Sequence, residues 1–101
     1  MLPPLCGILY VHDSYKGKSM NRWEETQDRM AKTFVFVTFA DAISFMVRVS
    51  YKAEEMNHHP EWKNIYNKVF VELTTHDAGG VTALDKELST FMDAVYDSFH
   101  R

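Results

Sequence analysis

The spacing of apolar positions changes several times along the chain. "KTFVFVT", residues 32–38, is dense in β-branched and aromatic side chains and predicts a strand. It is apolar on both faces over 34–37, which suggests a central place in a sheet or cover from both sides. From Phe39 the spacing becomes three and four. Phe39, Ala42, Ile43, Met46, Val49, Ala53 and Met56 line one side of an amphipathic helix. Pro60 disfavours the α conformation at His59, so this helix is expected to end near His58. "EWKNIYNKVFVELTTH" then predicts two short strands with a turn near Asn67, although no Asn-Gly pair marks it. Val69, Val71 and Leu73 alternate there with Lys68, Phe70, Glu72 and Thr74, the period of a sheet with one face in the core. "DAGG", 77–80, is a loop. A second helix follows, in which Thr82 and Asp85 have capping-box spacing and Leu84, Leu88, Phe91, Met92, Val95 and Phe99 form the apolar stripe.

With "RWEET" as a first strand, the order is β-β-α-β-β-α. Helices on one face of a four-stranded antiparallel sheet make a two-layer α+β domain. We assign residues 23–101 to this domain and residues 1–22 to a variable N-terminal segment. In that segment Pro3-Pro4 gives an extended start, "LCGILYV" reads as a short strand, and "HDSYKGKSMN" is polar and turn-rich. No internal repeat is visible.

Composition narrows the function. At 101 residues the chain has the size of one domain, and with 46% hydrophobic residues it can build a small core. A net charge of −3 and scattered basic residues do not suit direct nucleic-acid binding, which needs clustered Lys and Arg. No apolar run approaches the roughly 18 residues of a membrane helix, and no signal peptide is read at the start. Cys6 is the only cysteine, which excludes an intramolecular disulfide. The expectation is an intracellular, cytoplasmic protein.

The candidate chemistry lies in histidines. His58 and His59 fall at a helix end and His76 at a strand end. An unperturbed imidazole suits proton transfer near neutrality. Glu54 precedes His58 by four residues, so on a continuing helix the two share a face and the carboxylate can orient the ring. A histidine there can equally serve the helix dipole and its free carbonyls. His76 fits a surface position as well as a catalytic one, and Trp62 and Tyr66 fit core aromatics. A metal site finds little support. Adjacent histidines diverge, helical zinc ligands are spaced i and i+4, and Cys6 and His12 are unpromising partners. No Gly-x-Ser-x-Gly nucleophile elbow is present.

One constellation is more specific. Glu54, His58-His59-Pro60, Tyr66, His76 and Asp85, set in "AEEMNHHPEWKNIYNKV" and "LTTHDAGGVTALD", resemble the motif of the pterin-4a-carbinolamine dehydratases, and the likeness covers about residues 30–97. The resemblance implies a four-stranded α+β fold, a homodimer that extends the sheet, and often a homotetramer. It implies loss of water from a 4a-hydroxytetrahydropterin in tetrahydrobiopterin recycling, with no metal or organic cofactor. By resemblance, His58 and His76 are acid–base residues, His59 binds substrate and Glu54 supports the histidines. Asn57, Thr74, Thr75 and Asp77 line the site with Trp62, while Pro60, Tyr66 and Asp85 complete the motif. Some animal members also bind a homeodomain transcription factor, which implies a possible nuclear location and a non-catalytic alternative. Two departures stand out. Residues 1–22 lack the Ser/Thr-x-Glu-Glu helix start common in the family, and Leu84 precedes the motif aspartate where a polar residue is expected.

Overall fold

A computed structural model describes residues 22–99. The readings made for residues 1–21, including the strand at "LCGILYV" and the positions of Cys6 and His12, lie outside the described residues. Four strands form one antiparallel sheet: β1 (Glu24–Glu25), β2 (Met30–Val35), β3 (Glu61–Ile65) and β4 (Lys68–Leu73). Helix α1 (Phe39–Met56) joins β2 to β3, and helix α2 (Ala83–Asp97) follows β4. The sheet order is β1-β2-β4-β3, so β2 and β4 are central. This is the predicted α+β arrangement.

Alternation along the central strands selects the core face. Met30 and Phe34 on β2 lie opposite Leu73 and Val69 on β4. All four are buried with Phe36 and Val71 against Ala42, Phe45 and Val49 of α1 and Leu88, Met92 and Val95 of α2. Both helices thus cover the same face. The Phe45 ring lies 4.8 Å from Phe34 and 5.1 Å from Phe36, centroid to centroid, and Tyr96 lies 5.1 Å from both Phe34 and Phe36. The two-sided apolar run ends early, because Val37 lies past the strand and is 80% exposed. Trp23 and Lys32 both donate to the Asp93 carboxylate, which ties the start of the sheet to α2.

The α1 stripe is rotated from its predicted position. Ala42, Phe45, Val49 and Ala53 are buried, whereas Phe39, Ile43, Val47 and Tyr51 form a second apolar ridge that remains exposed. An apolar count at spacings of three and four cannot say which of two adjacent ridges meets the sheet. The helix also stops two residues before the expected His58. Asn57 adopts the left-handed conformation, φ 53°, and its N–H bonds back to Glu54 O at 3.1 Å. The His58 N–H bonds to Ala53 O at 3.0 Å. These bonds make a Schellman ending. A left-handed asparagine stops the helix before the influence of Pro60 is felt. At the β3–β4 turn, Tyr66 also has positive φ, 52°, which a two-residue hairpin requires and which no glycine announced.

Left-handed backbone costs most side chains about 1 kcal/mol, with asparagine and glycine exempt in large part. Asn57→Ala should therefore lower stability by about 1 kcal/mol, with Asn57→Gly close to the parent. Urea unfolding midpoints of the three proteins measure this.

Candidate active site

The open end of the β3–β4 hairpin carries the candidate residues. The Schellman ending reverses the chain at Asn57, so His58 turns inward while His59 stays exposed. His58 Nε2 lies 2.6 Å from Asp85 Oδ1, in the first turn of α2. No buried side-chain nitrogen or oxygen among the described residues lacks a partner. Asp85 takes Nε2, so Nδ1 is the ring nitrogen left at the surface. Glu54 reaches His59 instead, with Oε2 2.8 Å from Nε2. The i,i+4 pairing of Glu54 with His58 fails because the helix no longer exists at His58.

Asp85 is the centre of the site and is fully buried, with 0% exposure. Its Oδ2 accepts the Thr82 N–H at 2.9 Å and the Thr75 hydroxyl at 2.7 Å. The Thr82 bond is half of the predicted capping box, and Thr82 Oγ1 accepts the Leu84 N–H at 3.3 Å. Burial alone pushes the Asp85 carboxyl upward. Hydrogen bonds from His58, the Thr82 backbone and Thr75, with the charge of His58, outweigh it and hold the pKa below 3.8. Asp85 is therefore an ionised acceptor. It selects the His58 tautomer with the proton on Nε2 and leaves Nδ1 free to take or give a proton.

His76 and Asp77 start a short 3-10 turn, His76–Ala78, and are exposed. The Thr75 N–H bonds to Gly80 O at 3.0 Å, closing this loop on itself. The β1–β2 turn braces it from outside: Thr74 Oγ1 donates to Asp28 O at 2.7 Å, and the Val81 N–H reaches Gln27 O at 3.3 Å. A side chain at Gly80 would sit 2.4 Å from Gln27 O, so only glycine permits that approach. In the sequence Thr26 reads as the end of the "RWEET" strand and residues 26–29 are assigned no role at the site; Gly80, read as part of a loop, is the one local trace of their approach.

The structure brings together His58, Thr75 and Asp85, with His76 next in the chain to Thr75. Glu54, Asn57, His59 and Pro60 stand on the adjoining rim, and Leu84 is exposed beside Asp85 in the chain. Trp62 packs against the core from β3 opposite Val71. The Thr74 and Thr75 side chains are committed to Asp28 and Asp85, and the Thr75 backbone is committed to the loop, with its N–H on Gly80 O and its carbonyl accepting from Ala78 and Gly80. Tyr66 stands apart. It is 61% exposed at the closed end of the hairpin and is neither in the core nor near the histidines. No group of three or more metal-ligating side chains is gathered among the described residues.

A two-layer α+β domain with a histidine–aspartate pair at one end of its sheet defines the class. Residues 11–95 match the sequence model of the pterin 4 alpha carbinolamine dehydratase family, and the chain belongs to that family. Relatives provisionally named pterin-4-alpha-carbinolamine dehydratase include one from Bradyrhizobium diazoefficiens, 55% identical over 75 residues (72% of this chain, 75% of the relative). Another, from Prochlorococcus marinus, is 44% identical over 78 residues (77% of this chain, 81% of the relative). A crystal structure from Brucella melitensis, described as a transcriptional coactivator/pterin dehydratase, superposes with a TM-score of 0.73 at 33% identity, covering 85% of this chain and 92% of that one. A pterin dehydratase-like RuBisCO assembly factor of the alpha-carboxysome shares the fold, with a TM-score of 0.62 at 18% identity over 74% of this chain and 87% of its own.

Folding favours the ionised form of Asp85, because its folded pKa lies below the ordinary 3.8. That stabilisation is complete above the unfolded value and disappears as pH falls through the folded one. Asp85→Asn should lower stability at neutral pH and flatten the loss of stability below about pH 4. Unfolding midpoints of parent and variant across pH 2–7 read both effects.

Proposed function

We propose that the protein dehydrates a 4a-hydroxytetrahydropterin to the quinonoid dihydropterin, as part of tetrahydrobiopterin recycling. Hydroxide leaves poorly, so the 4a-oxygen takes a proton as its bond to carbon breaks and departs as water. A second proton leaves the ring nitrogen. Imidazoles on the two faces of the pterin can serve these transfers, and positioned acid–base groups typically contribute about 10²–10⁴-fold. His58 and His76 take these roles. His59 holds the substrate and is itself oriented by Glu54. Asn57, Thr74, Thr75 and Asp77 line the site, and Trp62 forms a wall. The chemistry needs no metal or organic cofactor. The observation that carries the reading is the bond between buried Asp85 and His58, which leaves Nδ1 as a defined proton-transfer atom at the surface.

A homodimer or homotetramer belongs to the same proposal. Two surfaces support it: the outer edge of β3, which has no neighbouring strand among the described residues, and the exposed ridge Phe39, Ile43, Val47 and Tyr51 on α1. That ridge also favours the second reading, a non-catalytic binding module that meets a partner such as a transcription factor. No described helix is long and apolar enough to cross a membrane, and we propose a cytoplasmic location, extending to the nucleus under the second reading.

Dehydration followed by absorbance tests the first reading. His58→Ala and His76→Ala should each lower the rate by about 10²-fold or more while retaining the parent's circular dichroism. Full activity in both variants rules out the assigned roles, and an inactive parent favours the binding module. Val47→Glu should lower the mass found by sedimentation; an unchanged mass removes the α1 ridge from the assembly.

A further inference from the structure

We propose that the hydroxyls of Thr82 and Thr75 form a one-way hydrogen-bond relay that positions Asp85 and holds His58 in the Nε2–H tautomer, which makes Thr75 a positioning residue. The two hydroxyl oxygens are 2.7 Å apart, and either is able to donate when viewed alone. The carboxylate decides the direction. An ionised Asp85 only accepts, so the single Thr75 hydrogen points at Oδ2, 2.7 Å away. Thr75 Oγ1 then has only lone pairs to offer Thr82, and the Thr82 hydroxyl is the donor. Thr82 Oγ1 in turn accepts the Leu84 N–H.

The chain of donors therefore runs from the first turn of α2 through Thr82 and Thr75 to Asp85, whose other oxygen receives His58. Bonds aligned in one sense polarise one another. Asp85 also lies in the first turn of a helix, where negative charge is favoured. Without the Thr75 hydroxyl, Oδ2 keeps only the Thr82 N–H, and the carboxylate gains freedom to rotate. His58 then loses the fixed acceptor that selects its tautomer. Thr75 touches neither His58 nor a reacting atom in this scheme; it acts through Asp85. Its place beside His76 means that the loop carrying one imidazole is pinned by the group that orients the other.

The kinetic part of this inference rests on the dehydratase reading, and the tautomer part does not. The test uses Thr75→Val, which keeps the shape and loses the hydroxyl, and Thr75→Ser, which keeps the hydroxyl and loses the methyl. Nitrogen-15 NMR of the imidazoles, without substrate, should show His58 protonated on Nε2 in the parent and in Thr75→Ser, and a mixture of tautomers in Thr75→Val. In the dehydration assay Thr75→Val should lower kcat roughly 10- to 100-fold, the scale of a lost bond to a charged group, with KM within about two-fold of the parent and Thr75→Ser restoring most of the rate. A parent that dehydrates nothing but shows these NMR shifts upholds the relay and removes the pterin reading. His58 protonated on Nδ1 in the parent overturns the relay, a result that needs no variant to fold. Identical His58 signals in Thr75→Val and the parent, or a Thr75→Ser as impaired as Thr75→Val, also overturn it.

Discussion

Asp85 is a carboxylate placed where water does not reach, and a buried charge persists only if donors replace the water it has lost. Three do so: the His58 imidazole, the Thr75 hydroxyl and the Thr82 backbone N–H. They come from three parts of the chain, which are the reversal after α1, the loop after β4 and the start of α2. Satisfying this one group therefore fixes how those segments meet. The same bonds that make the carboxylate tolerable also define the ring atom of His58 that is free for chemistry.

The rest of the site depends on how the segments end. The left-handed Asn57 turns the chain so that successive histidines point to different surroundings: His58 into the Asp85 network, His59 outward to Glu54. Adjacent histidines thereby meet different partners, Asp85 and Glu54. His76 is held differently, by a short loop closed on itself and braced by the β1–β2 turn through backbone groups. One imidazole is fixed through its side-chain partner and the other through the loop beneath it.

Much of the fold was legible from local spacing. Alternation of Val69, Val71 and Leu73 identified the core face of β4, and Ala42, Val49 and Ala53 the inner side of α1. The capping box of Thr82 and Asp85 was readable because it spans three residues. Phe45 lies outside the predicted stripe, since two apolar ridges run side by side along α1 and only the sheet chooses between them. Pro60 signals a helix end near His58, whereas the left-handed Asn57 that ends α1 gives no comparable signal in the sequence. The two-residue difference in the helix end gives Glu54 His59, and not His58, as its partner.

The sequence by itself determined the order of elements, the apolar faces, the histidine motif and its likeness to a dehydratase family, because each depends on residues close in the chain or on a pattern of fixed spacing. Tertiary structure decided which partner each polar group received. The His58–Asp85 bond spans 27 residues, the Thr75–Asp85 bond 10 and the Thr74–Asp28 bond 46. No local propensity encodes such bonds. The antiparallel register of β2 on β4 brings Asp28 to Thr74, and the packing of α2 on the sheet brings Asp85 to His58 and Thr75, where burial obliges the charge to find partners.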